Sequence, residues 1–130
     1  MSQVRVIRRA STGEVVLARA RWCQGFWCHL RGLMFRRHLP DDEGLLFVYR
    51  RASVGSTTIH MFFVFFPIAA VWLDDEGRVV STALARPWRP YYAPDRPARY
   101  LIEARPALLD RVAVGDQLTF SEQAQAGKFV

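Results

Sequence analysis

Apolar positions along this chain come in short runs broken by turn-forming residues, which predicts many strands and few helices. "VRVIRR" and "EVVLAR" read as a strand pair joined by a Ser-Thr-Gly turn. "GLLFVYR" and "YLIEA" read as strands, and "VAVGDQLTF" as a turn at Gly115-Asp116 leading into a last strand. The stretch "TTIHMFFVFFPIAAVWLDDEGRVV", residues 57–80, carries the most information. Its aromatic and β-branched content predicts a strand over 57–64, a bend at Pro67, a strand over 68–73 and a partner over 78–84. Asp74, Asp75, Glu76 and Gly77 supply the turn chemistry of a hairpin between the last two. Phe62, Phe66, Ile68 and Leu46 are the expected core.

Two segments read as helical. "RARWCQGFWCHLRGLM" places Trp22, Phe26, Leu30 and Leu33 at helical spacing, with Gly25 weakening it and Gly32 as a stop. "RPALLDRV" is a short helix with Pro106 at its first position. "LPDDEG" and the Pro- and aromatic-rich "RPWRPYYAPDRPARY" are loops. The expected fold class is α+β: a mostly antiparallel single domain, barrel-like or sandwich-like, with one or two short helices. It spans residues 1–120, and a polar tail over 121–130 frays.

Composition narrows the class. The 130 residues are 51% hydrophobic and 23% charged, a globular balance. A spanning helix needs about 20 apolar residues. The run from Ile59 to Leu73 is shorter and contains His60 and Pro67, so no membrane partner is expected. The N-terminal stretch has arginines but no apolar run behind them, so no secretory signal is expected and a cytoplasmic location is the default. Net charge is +6, and Lys128 is the only lysine. Arginine binds carboxylates and phosphates in a fork geometry, but net charge alone speaks to solubility. Cys23 and Cys28 are too few for a disulfide scaffold and lack metal-knuckle spacing. On one helix they would point to different faces, so two separate buried thiols are expected.

"RGLMFRRHLPDDEGLLFVY", then "IHMFFVFFPIAAVWLDDEGRVV", then "PWR", then "GDQLTF" resemble the bacterial and archaeal family known as domain of unknown function 192. The resemblance covers about residues 20–120 and rests on these separate blocks occurring in order. It implies a β-rich single domain and no established activity. Members often carry His-Thr-Phe-Phe-Met-Arg-Phe-Pro-Ile-Asp through the central block. This chain keeps His60, Phe62, Phe63, Phe66, Pro67 and Ile68, but has Phe65 for the arginine and Ala69 for the aspartate. The expectation is that packing replaces a charge pair on one face of an extended segment.

Candidate chemistry is sparse. There is no Ser-His-Asp order, paired-acid spacing, metal cluster or phosphate loop, so no metal or cofactor is expected. His60 reads either as a neutral imidazole buried in a strand or as a pocket histidine. Arg36, His60, Trp88 and Arg89 are the expected ligand-binding set, because they combine rigid apolar area with fork-shaped donors. The leading reading is a non-enzymatic binding or accessory domain for a small anionic ligand. A nucleic-acid binder is the alternative, weakened by arginines scattered rather than grouped in a stripe. A hydrolase-like enzyme using His60 and Glu103 is the third.

Overall fold

The computed structural model describes residues 3–122 of the chain, so most of the expected tail, residues 123–130, lies outside the described residues. Seven strands form one curled, half-barrel sheet. They are β1 (Val4–Arg9), β2 (Val15–Cys23), β3 (Glu43–Ser53), β4 (Ile68–Leu73), β5 (Val79–Ala85), β6 (Ala98–Ala104) and β7 (Leu118–Glu122). Their spatial order is β5-β4-β6-β3-β2-β1-β7. All neighbours are antiparallel except β2 and β3, which run parallel and need the long connection over residues 24–42. That connection holds α1 (Phe26–Arg31), and a 3-10 turn covers Pro106–Asp110. The expected mostly antiparallel α+β domain is what forms.

The two edge strands are drawn together at one end. Val79 N donates to Asp116 O at 2.8 Å, and Leu118 N donates to Gly77 O at 2.9 Å. Gly77 has φ +81°, and a Cβ there would lie 2.7 Å from Leu118 O, so only glycine lets the backbones approach this closely.

The central strands are buried on both faces, which explains their unbroken apolar runs. Alternation sorts the side chains. Leu46, Val48, Val71, Leu73 and Ile102 enter one core with Ile7, Val16 and Leu108. Leu45, Phe47, Ala70, Trp72 and Leu101 enter a second, on the opposite face. That second face is covered by irregular chain rather than another sheet: Leu33 and Leu39 from one connection, Met61, Val64 and Phe66 from the other.

Several expectations are corrected here. Residues 57–64 form no strand; Ile59 makes a single bridge to Tyr92. The apolar run reflects a covering loop, in which Met61, Val64 and Phe66 are buried and Phe62, Phe63 and Phe65 exposed. Phe63 at φ +61° interrupts any extension. Phe62 therefore leaves the expected core, whereas Phe66, Ile68 and Leu46 belong to it. Phe65 stands half-exposed while Ala69 is sealed inside β4, so the bend at Pro67 removes the shared face expected for them.

The long helix is also corrected. Residues up to Cys23 belong to β2, and only Phe26–Arg31 are helical. Gly32, at φ +49°, ends the helix as expected. Because Cys23 ends β2 and Cys28 lies in α1, their Cα atoms come within 5.6 Å and Cys23 and Cys28 form a disulfide. The expectation of two separate thiols fails because it placed both on one helix.

Candidate functional site

A cavity of about 170 Å³ lies between the second face of the sheet and its irregular cover. Its floor comes from strands: Leu101 and Glu103 of β6, Phe47 and Tyr49 of β3. Period-two alternation fixes this, because Leu101 and Glu103 share parity along the strand. Its lid comes from α1 and the turn after it, through His29, Arg31, Gly32, Leu33 and Met34. Ser56, Thr58, His60, Met61 and Val64 complete the wall. The loop carrying them is pinned from below: Trp72 Nε1 donates to Thr57 O at 2.8 Å, and Thr57 Oγ1 donates to Ser53 O at 2.7 Å.

Glu103 is the centre of this cavity. Its strand is paired on both sides, with Leu45 of β3 and Ala70 of β4 opposite it. The side chain is 7% exposed and makes no ion pair among the described residues. A buried carboxylate without a cation is costly, so burial pushes the Glu103 carboxyl up from 4.5 to about 8. At neutral pH it is protonated and can donate a hydrogen bond. Gly32 faces it: a Cβ there would sit 3.8 Å from Glu103 Oε1 and 3.4 Å from Phe47 Cζ. The absence of a side chain at Gly32 leaves the carboxyl open to the cavity.

Tyr49 is held neutral as well, while Arg31 lines the lid. Burial, and then the Glu103 charge, hold the Tyr49 hydroxyl well above its ordinary range. His29 lies edge-on to Phe47 and Tyr49, with ring centroids 5.4 and 4.7 Å away. Its Nε2 is 2.9 Å from Cys23 O, and a carbonyl only accepts, so Nε2 carries a proton. The disulfide and this hydrogen bond both tie the lid to the end of β2.

The expected ligand-binding residues are distributed differently. His60 is exposed at the rim, not buried in a strand; its Nδ1 accepts from Phe62 N at 3.1 Å. That leaves Nε2 as the protonated nitrogen of the neutral ring. The Trp88 and Arg89 backbones pair with the same loop, Trp88 N to Met61 O and Met61 N to Arg89 O, both at 2.7 Å. Neither side chain lines the cavity; Trp88 packs instead on Phe63 and Phe65. Arg36 faces a separate hollow with Arg21, Arg31 and Cys28. The structure thus brings His60 to Glu103's cavity and leaves Arg36, Trp88 and Arg89 outside it. Among the described residues no group of three or more His, Cys, Asp or Glu could hold a metal ion.

Glu103 had a visible signal: a lone acid at an alternate position of the apolar strand "YLIEA". Tyr49 and His29 had none, because the chain alone does not show that α1 folds over β3.

Similar proteins agree with the fold. A UPF0127 protein of Thermococcus kodakarensis is 32% identical over 124 residues, covering 94% of this chain and 74% of the relative. A UPF0127 protein of Pyrococcus furiosus is 29% identical, covering 84% of this chain and 92% of its own. The crystal structure of a Sinorhizobium meliloti protein, provisionally named a transcription regulator, superposes with TM-score 0.77 at 22% identity, covering 92% of each chain. One from Novosphingobium aromaticivorans, of unknown function, gives the same TM-score and identity over 91% of this chain and 84% of that one. Residues 7–120 match the family described as an uncharacterised ACR, and the chain belongs to that family, DUF192.

Proposed function

We propose that this chain is a non-enzymatic binding domain for a small neutral molecule with one apolar face and one hydrogen-bond acceptor. The observation that carries this reading is Glu103: a buried carboxyl, without an ion pair among the described residues, that lines a cavity. Held protonated, it offers a donor to a carbonyl, ether or hydroxyl oxygen. Phe47, Leu101, Met61 and Val64 would pack against the apolar face. A cavity of about 150 Å³ accepts a benzene-sized ring, which sets the size class. We set a neutral ligand beside the anionic one expected from the sequence because Glu103, once ionised, would repel an anion, while Arg31 on the lid would attract one. His60 is the weaker candidate for acid-base chemistry: with Nδ1 accepting from Phe62, Nε2 carries the proton and is a donor, not a base.

The test is a ligand-observed NMR screen of small cyclic compounds, pairing cyclohexanone with cyclohexanecarboxylate, at about pH 6.5 and about pH 9.5. The ketone is expected to bind at the lower pH, to weaken about tenfold per unit above the Glu103 pKa, and to bind Glu103→Gln with little pH dependence. Equal binding of the carboxylate at both pH values, or ketone binding indifferent to Glu103→Ala, overturns the proposal.

The Cys23–Cys28 bridge speaks against the cytoplasmic location expected from the sequence. Such a bridge persists in oxidising compartments and is opened in reducing ones. No helix among the described residues is long and apolar enough to cross a membrane.

A further inference from the structure

Three non-glycine residues among those described have positive φ: Phe35 at 66°, Phe63 at 61° and Trp88 at 67°. All three are bulky aromatics, the residue class for which this backbone is most strained. They come from three different segments, yet they meet. Phe35 N donates to Phe63 O at 2.8 Å, and Trp88 N donates to Met61 O at 2.7 Å. Phe35 stacks on Phe63 with centroids 5.0 Å apart; Phe63 and Phe65 meet Trp88 edge-on at 5.0 and 6.0 Å. Despite this contact the rings remain 57%, 42%, 50% and 48% exposed for Phe35, Phe63, Phe65 and Trp88. Strained backbone that presents half-exposed aromatic rings points to a contact surface, since glycine or asparagine would close these turns without strain.

The ring-bearing segments are locally basic. Residues 31–37, 60–66 and 86–92, which carry the rings, contain Arg31, Arg36, Arg37, Arg86 and Arg89 and no Asp or Glu, while Asp41, Asp74 and Asp95 follow further along each segment. None of the five arginines makes an ion pair among the described residues. A partner matched to this face is anionic and accepts aromatic area. We propose that this cluster docks the protein on the surface of an anionic lipid bilayer, with the rings entering the headgroup boundary and the arginines on the lipid phosphates. A run too short to span a bilayer can still make peripheral contact with its surface. Single-stranded nucleic acid fits less well. It uses open ring faces in a row for successive bases, and here Phe35 and Phe63 cover each other. This inference does not depend on the cavity around Glu103.

The test is vesicle flotation at low salt, comparing phosphatidylcholine vesicles with vesicles containing about one third phosphatidylglycerol. Trp88→Asn and Phe63→Asn remove a ring while suiting the left-handed backbone, and circular dichroism checks that they fold. Binding is expected only to the anionic vesicles. It should fall about tenfold or more in each aromatic variant, the value of burying one large side chain, and about fivefold per arginine in Arg36→Gln and Arg89→Gln. Three results overturn the proposal. One is no binding to either vesicle. Another is binding lost in the arginine variants but untouched by the folded aromatic ones. The third is tighter, ring-dependent binding to a single-stranded oligonucleotide or self-association through the same rings.

Discussion

Replacing Glu103 with glutamine keeps the shape of the side chain and removes its ionisation, so it isolates the cost of burying an acid in this cavity. The carboxyl titrates at about 8 in the folded chain against 4.5 as its ordinary value. Between those values the native state holds a proton that the unfolded state has lost. Stability of the wild-type protein therefore falls as pH rises through this window and levels off above about 8. Each pKa unit is worth about 1.36 kcal/mol, so the penalty is about 3 kcal/mol at neutral pH and nearer 5 at the plateau, before cavity solvation reduces both. Glu103→Gln carries no such slope. Its carboxamide needs partners of its own, but that cost does not change with pH. Urea denaturation of both proteins from about pH 4.5 to about pH 9 is the assay. The variant should gain about 3 kcal/mol on the wild type between the acid end and neutrality. Parallel stability curves would refute the reasoning, because they would mean that Glu103 ionises in the native state as easily as in the unfolded one.

Reduction of Cys23–Cys28 should lower stability by about 2 kcal/mol, the loop-entropy value for so short a ring; an unchanged urea midpoint with reductant would show that the bridge constrains nothing. Phe66→Ala should cost about 3–5 kcal/mol and Phe62→Ala no more than about 0.5, since one is buried and the other exposed. Equal thermal shifts for the two would contradict the covering-loop geometry. Phe65→Arg should be tolerated, because position 65 is half-exposed, whereas Ala69→Asp puts a charge in the sealed core of β4 and should cost several kcal/mol. Pulse proteolysis of the two single variants would separate these outcomes, and rescue of Ala69→Asp by adding Phe65→Arg would show that the side chains do meet.

Where strand pairing set the pattern, the sequence was informative. Ile68–Leu73 and Val79–Ala85 appear as strands because alternation, β-branching and the Asp74–Gly77 turn all agree. Where the chain covers the sheet, apolar composition misled. Met61, Val64 and Phe66 are buried and Phe62, Phe63 and Phe65 exposed, in a loop whose hydrophobicity answers to the surface beneath it and not to a period of its own. The same failure hid the disulfide: Trp22, Phe26, Leu30 and Leu33 fit a helical period, while the backbone stays in β2 through Cys23. At the site, His60 was legible as a candidate, and Glu103 as a lone acid in an apolar strand. The cavity that joins them depends on α1 and Gly32 folding over Phe47, a contact with no local signature.

The proposed function depends on Glu103 being a neutral hydrogen-bond donor inside a ligand cavity. Carbon-13 NMR of the Glu103 side-chain carboxyl, titrated with and without a bound cyclic ketone, addresses it directly. The expected midpoint is about 8 in the free protein and higher in the complex, because a ligand that prefers the protonated form must raise its pKa. A midpoint near 4.5, or one that the ketone leaves in place or lowers, would contradict it.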